Sequence, residues 1–279
     1  VPQPVITSLE AGENGNNQGH FGQTLVIRGT DLAGATQVHI GGRTVVGTVD
    51  PSGTFITCLV PVGAGIVNVS VTGPDGTSAP PLPFYYIAAP VVLSVAPVGG
   101  SATAPPVITL LGQNLLTVRH VRIGPTEEDA TEARFTSVSN TEVTAIPPAV
   151  PLMGGPPWTQ LENVYTTTAG GEVVFPATPT LPAGFTYYDA PVITSLVPSS
   201  GIPGSQILVN GTAFVSPLIV AHFSEDSTTP IPGTVVVNSS AQLLVTVPPG
   251  LSTDSTFVRI ITLAGQSNAM RFTYIPPPT

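Results

Sequence analysis

The chain has 279 residues and a net charge of −9, with charged side chains at only 8% of positions; all seven cations are arginine. That balance excludes the basic face that nucleic acid needs and electrostatic attraction to an anionic lipid surface. The absence of lysine also excludes a Lys–Asn isopeptide crosslink.

Hydrophobic residues make up 42% of the chain and stand in alternating runs, so the 32 prolines and 29 glycines read as turn punctuation between strands. Val5-Ile6-Thr7-Ser8-Leu9 predicts a first short strand, and the polar run Glu10 to Phe21 a loop. Strands follow at Thr24 to Gly29, Gln37 to Gly42, Thr44 to Val49 and Thr54 to Val60, with Asp50-Pro51-Ser52-Gly53 as a turn. Gly65 to Thr72, the hairpin Gly73-Pro74-Asp75-Gly76 and the close Phe84-Tyr85-Tyr86 complete seven strands with turns every eight to twelve residues, the pattern of a β-sandwich.

The same sentence is written twice more. Pro4-Val5-Ile6-Thr7-Ser8 returns as Pro90-Val91-Val92-Leu93-Ser94 and Pro191-Val192-Ile193-Thr194-Ser195, and the aromatic close returns as Phe185-Thr186-Tyr187-Tyr188 and Phe272-Thr273-Tyr274. A period of this length is that of a small domain, not of a solenoid unit. Three domains are expected: 1–89, 90–190 and 191–279, carrying charges of −3, −5 and −1. The middle one is longer, with a loop insertion at 149–163 that holds the sole tryptophan, Trp158. The linkers are minimal. Pro90 and Pro191 stiffen the joints, and Tyr85 and Tyr188 are expected to pack at them.

These residues resemble the IPT/TIG family of immunoglobulin-like domains, which open with Pro-x-Ile-x-Ser-x-x-Pro-x-x-Gly and close with Phe-x-Tyr. The third repeat matches at Pro191, Ile193, Ser195, Pro198, Gly201, Gly204, Gly211, Phe214, Gly265, Ser267, Phe272 and Tyr274. The first keeps Gly22, Gly29, Gly76, Ser78, Phe84 and Tyr86, and the second replaces the opening Ile with Val92. The resemblance implies an all-β chain of three tandem immunoglobulin-like β-sandwiches of the early-set type, in an elongated array. It fixes no function.

Catalytic or cofactor chemistry finds little support. His39 and His222 recur at one framework position, which argues for a structural role, and His20 and His120 lack metal-ligand spacing. Glu127, Glu128, Asp129 and Glu132 read as a solvated acidic loop, with weak cation binding as the lesser alternative. Asn68, Asn210 and Asn238 head glycosylation sequons. Cys58 is expected as a buried strand thiol, and nothing reads as a signal peptide or membrane span. A chain beginning at Val1 suits a secreted protein whose leader has been removed.

The expected function is therefore non-enzymatic: a structural or adhesive subunit or stalk of an extracellular filament or surface assembly, with no cofactor, no nucleic acid and no membrane insertion. Its partners are copies of itself or another surface or virion protein, with a glycan as a further possibility. A phage tail or capsid accessory protein and a non-catalytic module of a glycan-acting enzyme are the alternatives. Candidate partner contacts are Trp158, Met153 and Leu161 in the insertion, where the alternative is that Trp158 folds back over its own domain, together with Val1, Pro4 and Ile275 at the ends, since aromatic side chains supply much contact energy.

Overall fold

The computed structural model describes residues 2–12, 15–35, 37–150, 158–176, 184–224, 229–251 and 256–276. Among them there is no helix, so none that is long and apolar enough to cross a membrane. Val1 and Met153 lie outside the described residues.

The first sandwich contains β1 (Val5–Ala11), β2 (Gln18–Gly19), β3 (Thr24–Thr30), β4 (Gln37–Ile40), β5 (Arg43–Val45), β6 (Gly47–Val49), β7 (Phe55–Leu59), β8 (Ile66–Gly73), β9 (Gly76–Thr77) and β10 (Leu82–Tyr86). One sheet runs β1-β3-β7-β6 and the facing one β2-β10-β8-β4-β5. The second repeats both orders with β11 (Val91–Ala96), β12 (Gly99–Ser101), β13 (Ile108–Gln113), β14 (Val118–Gly124), β15 (Thr131–Glu132), β16 (Arg134–Ser139), β17 (Glu142–Ile146), β18 (Thr159–Thr168), β19 (Gly171–Phe175) and β20 (Phe185–Tyr188). The third has β21 (Val192–Val197), β22 (Ser200–Gly201), β23 (Gln206–Thr212), β24 (Val220–Ser224), β25 (Ile231–Ser239), β26 (Gln242–Thr246), β27 (Thr256–Thr262), β28 (Gly265–Gln266) and β29 (Met270–Tyr274). Here β25 pairs with β24 through Ile231–Gly233 and with β26 from Thr234 onward, so one strand serves both sheets. The chain is all-β, three immunoglobulin-like sandwiches in tandem.

Two expectations are corrected. Glu10 to Phe21 is not one loop: β1 continues through Glu10 and Ala11, and β2 lies inside the run. The opening strand has to leave one sheet and join the other, so β1 pairs antiparallel with β3 and β2 parallel with β10. The polar residues cover that crossing. Likewise 149–163 is not loop throughout, because β18 starts at Thr159 and pairs with β20. The alternation there was hidden because its inward residue is a carboxylate, Glu162, 2% exposed.

The repeated opening has a physical reason. Each first strand carries a bulge, between Ile6 and Ser8, Val92 and Ser94, Ile193 and Ser195. Opposite it stands Gly29, Gly112 or Gly211, where an added β-carbon would meet the carbonyl oxygen of Val5, Val91 or Val192 at 2.0, 1.8 and 2.0 Å. Only glycine lets the bulged backbone come so close.

The closing aromatics are the cores. Phe84, Phe185 and Phe272 are each fully buried, worth about 2–3 kcal/mol apiece relative to exposure. Phe84 and Tyr86 meet edge-to-face at 5.3 Å, and Phe185 and Tyr187 at 5.0 Å. The tyrosine hydroxyls donate to Pro61 O at 2.9 Å and to Pro148 O at 2.8 Å. These tie the last strand to the exit of β7 and β17.

Candidate binding surfaces at the domain joints

The joint between the first two sandwiches has no slack. Pro90 is buried. Asn114 Nδ2 donates to Ala89 O at 2.8 Å, and Gly170 lies so near Ala88 that an added β-carbon would meet its carbonyl oxygen at 1.9 Å. The linker is thus bound onto the second sandwich before its first strand begins.

A polar cleft of about 770 Å³ opens across this joint. Asn16, Gln18, His20 and Gln23 face it from the first sandwich, and Arg119, His120, Arg122, Glu127, Glu132, Thr167 and Glu172 from the second. Several of its charged groups pair within it. Arg122 donates to Glu172 Oε2 at 2.6 Å and to Glu127 Oε1 at 3.4 Å, His120 faces Glu132 at 3.3 Å, and Thr167 Oγ1 donates to Glu172 at 2.8 Å. His20 Nδ1 contacts Phe21 O at 2.8 Å. A second lobe of about 340 Å³ adds Phe21, Gly63 and Tyr86. Tyr86, not Tyr85, therefore belongs to the joint. Tyr85 is 39% exposed on β10, because successive strand residues point to opposite faces.

Trp158 stands at the other joint. Its carbonyl accepts from Asp189 N at 3.0 Å, and it lines a cavity of about 440 Å³ with Ala102, Thr103, Tyr188, Asp189, Ala190, Val192 and Thr212. Tyr188 and Trp158 thus sit where the second sandwich hands over to the third. Asp189 Oδ2 is buried without a hydrogen-bond partner, and burial raises the carboxyl above its ordinary pKa. Pro191 is buried, and Ile193 exchanges two hydrogen bonds with the Asn268 side chain, at 2.8 and 3.0 Å.

The described residues nearest both ends are tied into the fold. Pro4, expected as a connector, is buried beside Gly73 of its own sandwich, and Gln3 Nε2 donates to Thr77 O. Ile275 N donates to Gly201 O at 2.9 Å, while its side chain is exposed. Leu161 is 60% exposed on β18.

The remaining polar groups are tied into the fold. His39 bridges Thr44 at 3.1 Å and Thr72 at 3.0 Å, linking β4 to β5 and β8. Register places His39, Arg122 and His222 at one framework site. Of the four residues read as a solvated acidic loop, with cation binding as the lesser alternative, Glu127 pairs with Arg122, Asp129 accepts from Thr126 at 2.9 Å and Glu132 faces His120. No cluster of three or more His, Cys, Asp or Glu suited to a metal occurs among the described residues. Sequence reasoning missed the cleft residues Arg122 and Glu172, since no motif joins positions so far apart in the chain.

The IPT/TIG domain family model matches residues 4–86 and 191–274. Among solved structures, one crystallised with a xylogluco-oligosaccharide is 17% identical, with 98% of this chain and 60% of that one covered, at a TM-score of 0.38. The plexin A4 extracellular region is 16% identical, with 99% and 25% covered, at 0.40. SGBP-B from a complex xyloglucan utilization locus in Bacteroides uniformis is 14% identical, with 98% and 100% covered, at 0.32. The chain thus spans about three fifths and a quarter of the first two. No curated protein matches it.

Proposed function

The chain belongs to the IPT/TIG family, and from that premise we propose that it is a non-enzymatic, stiff tandem array outside the cell, a stalk or subunit of a surface assembly. It acts by spacing and by protein–protein contact. The observation that carries this reading is the bound linkers. Ala88 packs against Gly170, Ala89 O accepts from Asn114, and Asp189 continues the β18–β20 ladder to Trp158, with one residue between it and buried Pro191. Sandwiches joined by linkers this short keep a fixed separation between their ends. The low charge and the internally paired cleft suit close approach to neighbours better than chemistry on a small substrate.

Small-angle X-ray scattering of the whole chain tests it. The expected profile is that of an extended particle with a single maximum dimension. Inserting Gly-Gly-Ser-Gly between Ala89 and Pro90 should broaden the distance distribution. A wild-type profile that already matches a flexible ensemble, unchanged by the insertion, overturns the reading.

A further inference from the structure

The third sandwich carries a surface that the other two lack. Across β21, β23, β26 and β25, register aligns Val197, Leu208, Leu244 and Val236 in one outward row. Val197 is 53% and Val236 54% exposed. The same row reads Glu10, Val26, Thr57, Thr48 in the first sandwich and Ala96, Thr109, Thr144, Thr136 in the second. Beside the aliphatic row runs a chain of amides. Asn238 Nδ2 donates to Gln242 Oε1 at 3.1 Å, Gln242 Nε2 to Asn210 Oδ1 at 2.9 Å, and Asn210 Nδ2 to Ser195 Oγ at 3.0 Å. On the far side lie Gln206, Thr234 and Thr246. No described residue of this face is ionisable. Arg259 and Arg271 belong to β27 and β29, off the face.

We propose that this face binds the same face of a second copy of the chain. A charge-free face excludes a partner recognised by its charge. Such a face also lets two chains of charge −9 meet without opposing like charges across the contact. A straight aliphatic row maps onto itself under a two-fold axis in the contact plane, as an isologous contact requires. Two sheets then stack with the rows interleaved. With four strands at ~4.8 Å and three rows at ~6.8 Å, the face covers roughly 400 Å². That is about half of the ~800 Å² per partner of a standard interface, so the contact is weak in solution and gains from repetition in an assembly. This inference rests on the adhesive reading above. Scattering reports the joints and sedimentation the face, so either can fail alone.

Sedimentation of the whole chain from about 10 μM to about 1 mM tests it, with a dissociation constant expected on the order of 0.1–1 mM. Val236→Glu should hold the mass at the monomer throughout, with an unchanged circular dichroism spectrum. Thr48→Glu, at the same row position of the first sandwich, should associate as the wild type does. A wild type monomeric at every concentration, a Val236→Glu variant that still dimerises, or equal loss in Thr48→Glu overturns the proposal.

Discussion

A β-carbon on Gly112 would lie 1.8 Å from the carbonyl oxygen of Val91. The obstacle is backbone, held by the bulge in β11, and cannot rotate away. Gly112→Ala should therefore cost the second sandwich about 3 kcal/mol, at the upper end of the usual overpacking penalty. Gly42→Ala, with nothing within 4 Å of the added carbon, should stay within about 0.5 kcal/mol of wild type. Urea unfolding followed by Trp158 fluorescence reads the first, and circular dichroism the second.

Ser78 and Ser267 replace a missing ladder bond. Their hydroxyls accept from Val71 N at 3.0 Å and Ile260 N at 2.9 Å, where the hairpin strands have already ended. In the second sandwich β19 runs on to Phe175 and Val173 pairs with Thr166 directly. Ser78→Ala should expose the Val71 amide to faster hydrogen exchange and cost about 1–2 kcal/mol. Deletion of an equivalent hydroxyl has no counterpart in the middle sandwich.

Glu162 occupies the position of Val67 and Thr256, opposite the closing phenylalanine. Its Oε2 is buried without a partner, and burial raises its pKa, partly offset by the Gln160 hydrogen bond. A carboxyl with a raised folded pKa favours the fold in its neutral form. Stability is full below the ordinary glutamate pKa and is lost as pH rises through the folded value. Glu162→Val should remove that slope and raise stability at pH 7 by about 1–2 kcal/mol. Denaturation midpoints from pH 4 to 8 for both proteins check the sign.

Cys58 is 6% exposed, and burial pushes its thiol up to about 11. The native chain should resist a thiol-reactive dye at pH 8 and titrate one thiol per chain only once unfolded. Rapid native labelling would show that the first sandwich opens.

The repeats were legible because they encode backbone requirements. A bulge needs its glycine, a core its phenylalanine, and both return in the same order in every repeat. Arg122 and His20 line one cleft only through the placement of two domains, which no local pattern records. Glu162 concealed a strand because a buried carboxylate breaks the alternation that marks one. Tyr85 and Tyr86 were confused because adjacent strand residues differ only in which face they take.

The opening strand of every sandwich has one more consequence. β2, β12 and β22 run parallel to β10, β20 and β29, held by bonds such as Tyr85 N to Asn17 O at 2.9 Å and Thr273 N to Ser199 O at 2.9 Å. In each sandwich the chain leaves along the last strand, and the strand paired parallel to it follows directly on the opening one. A pull on the ends loads them in shear, so their hydrogen bonds must yield together instead of unzipping singly. Those three parallel pairings are where the protein would bear tension.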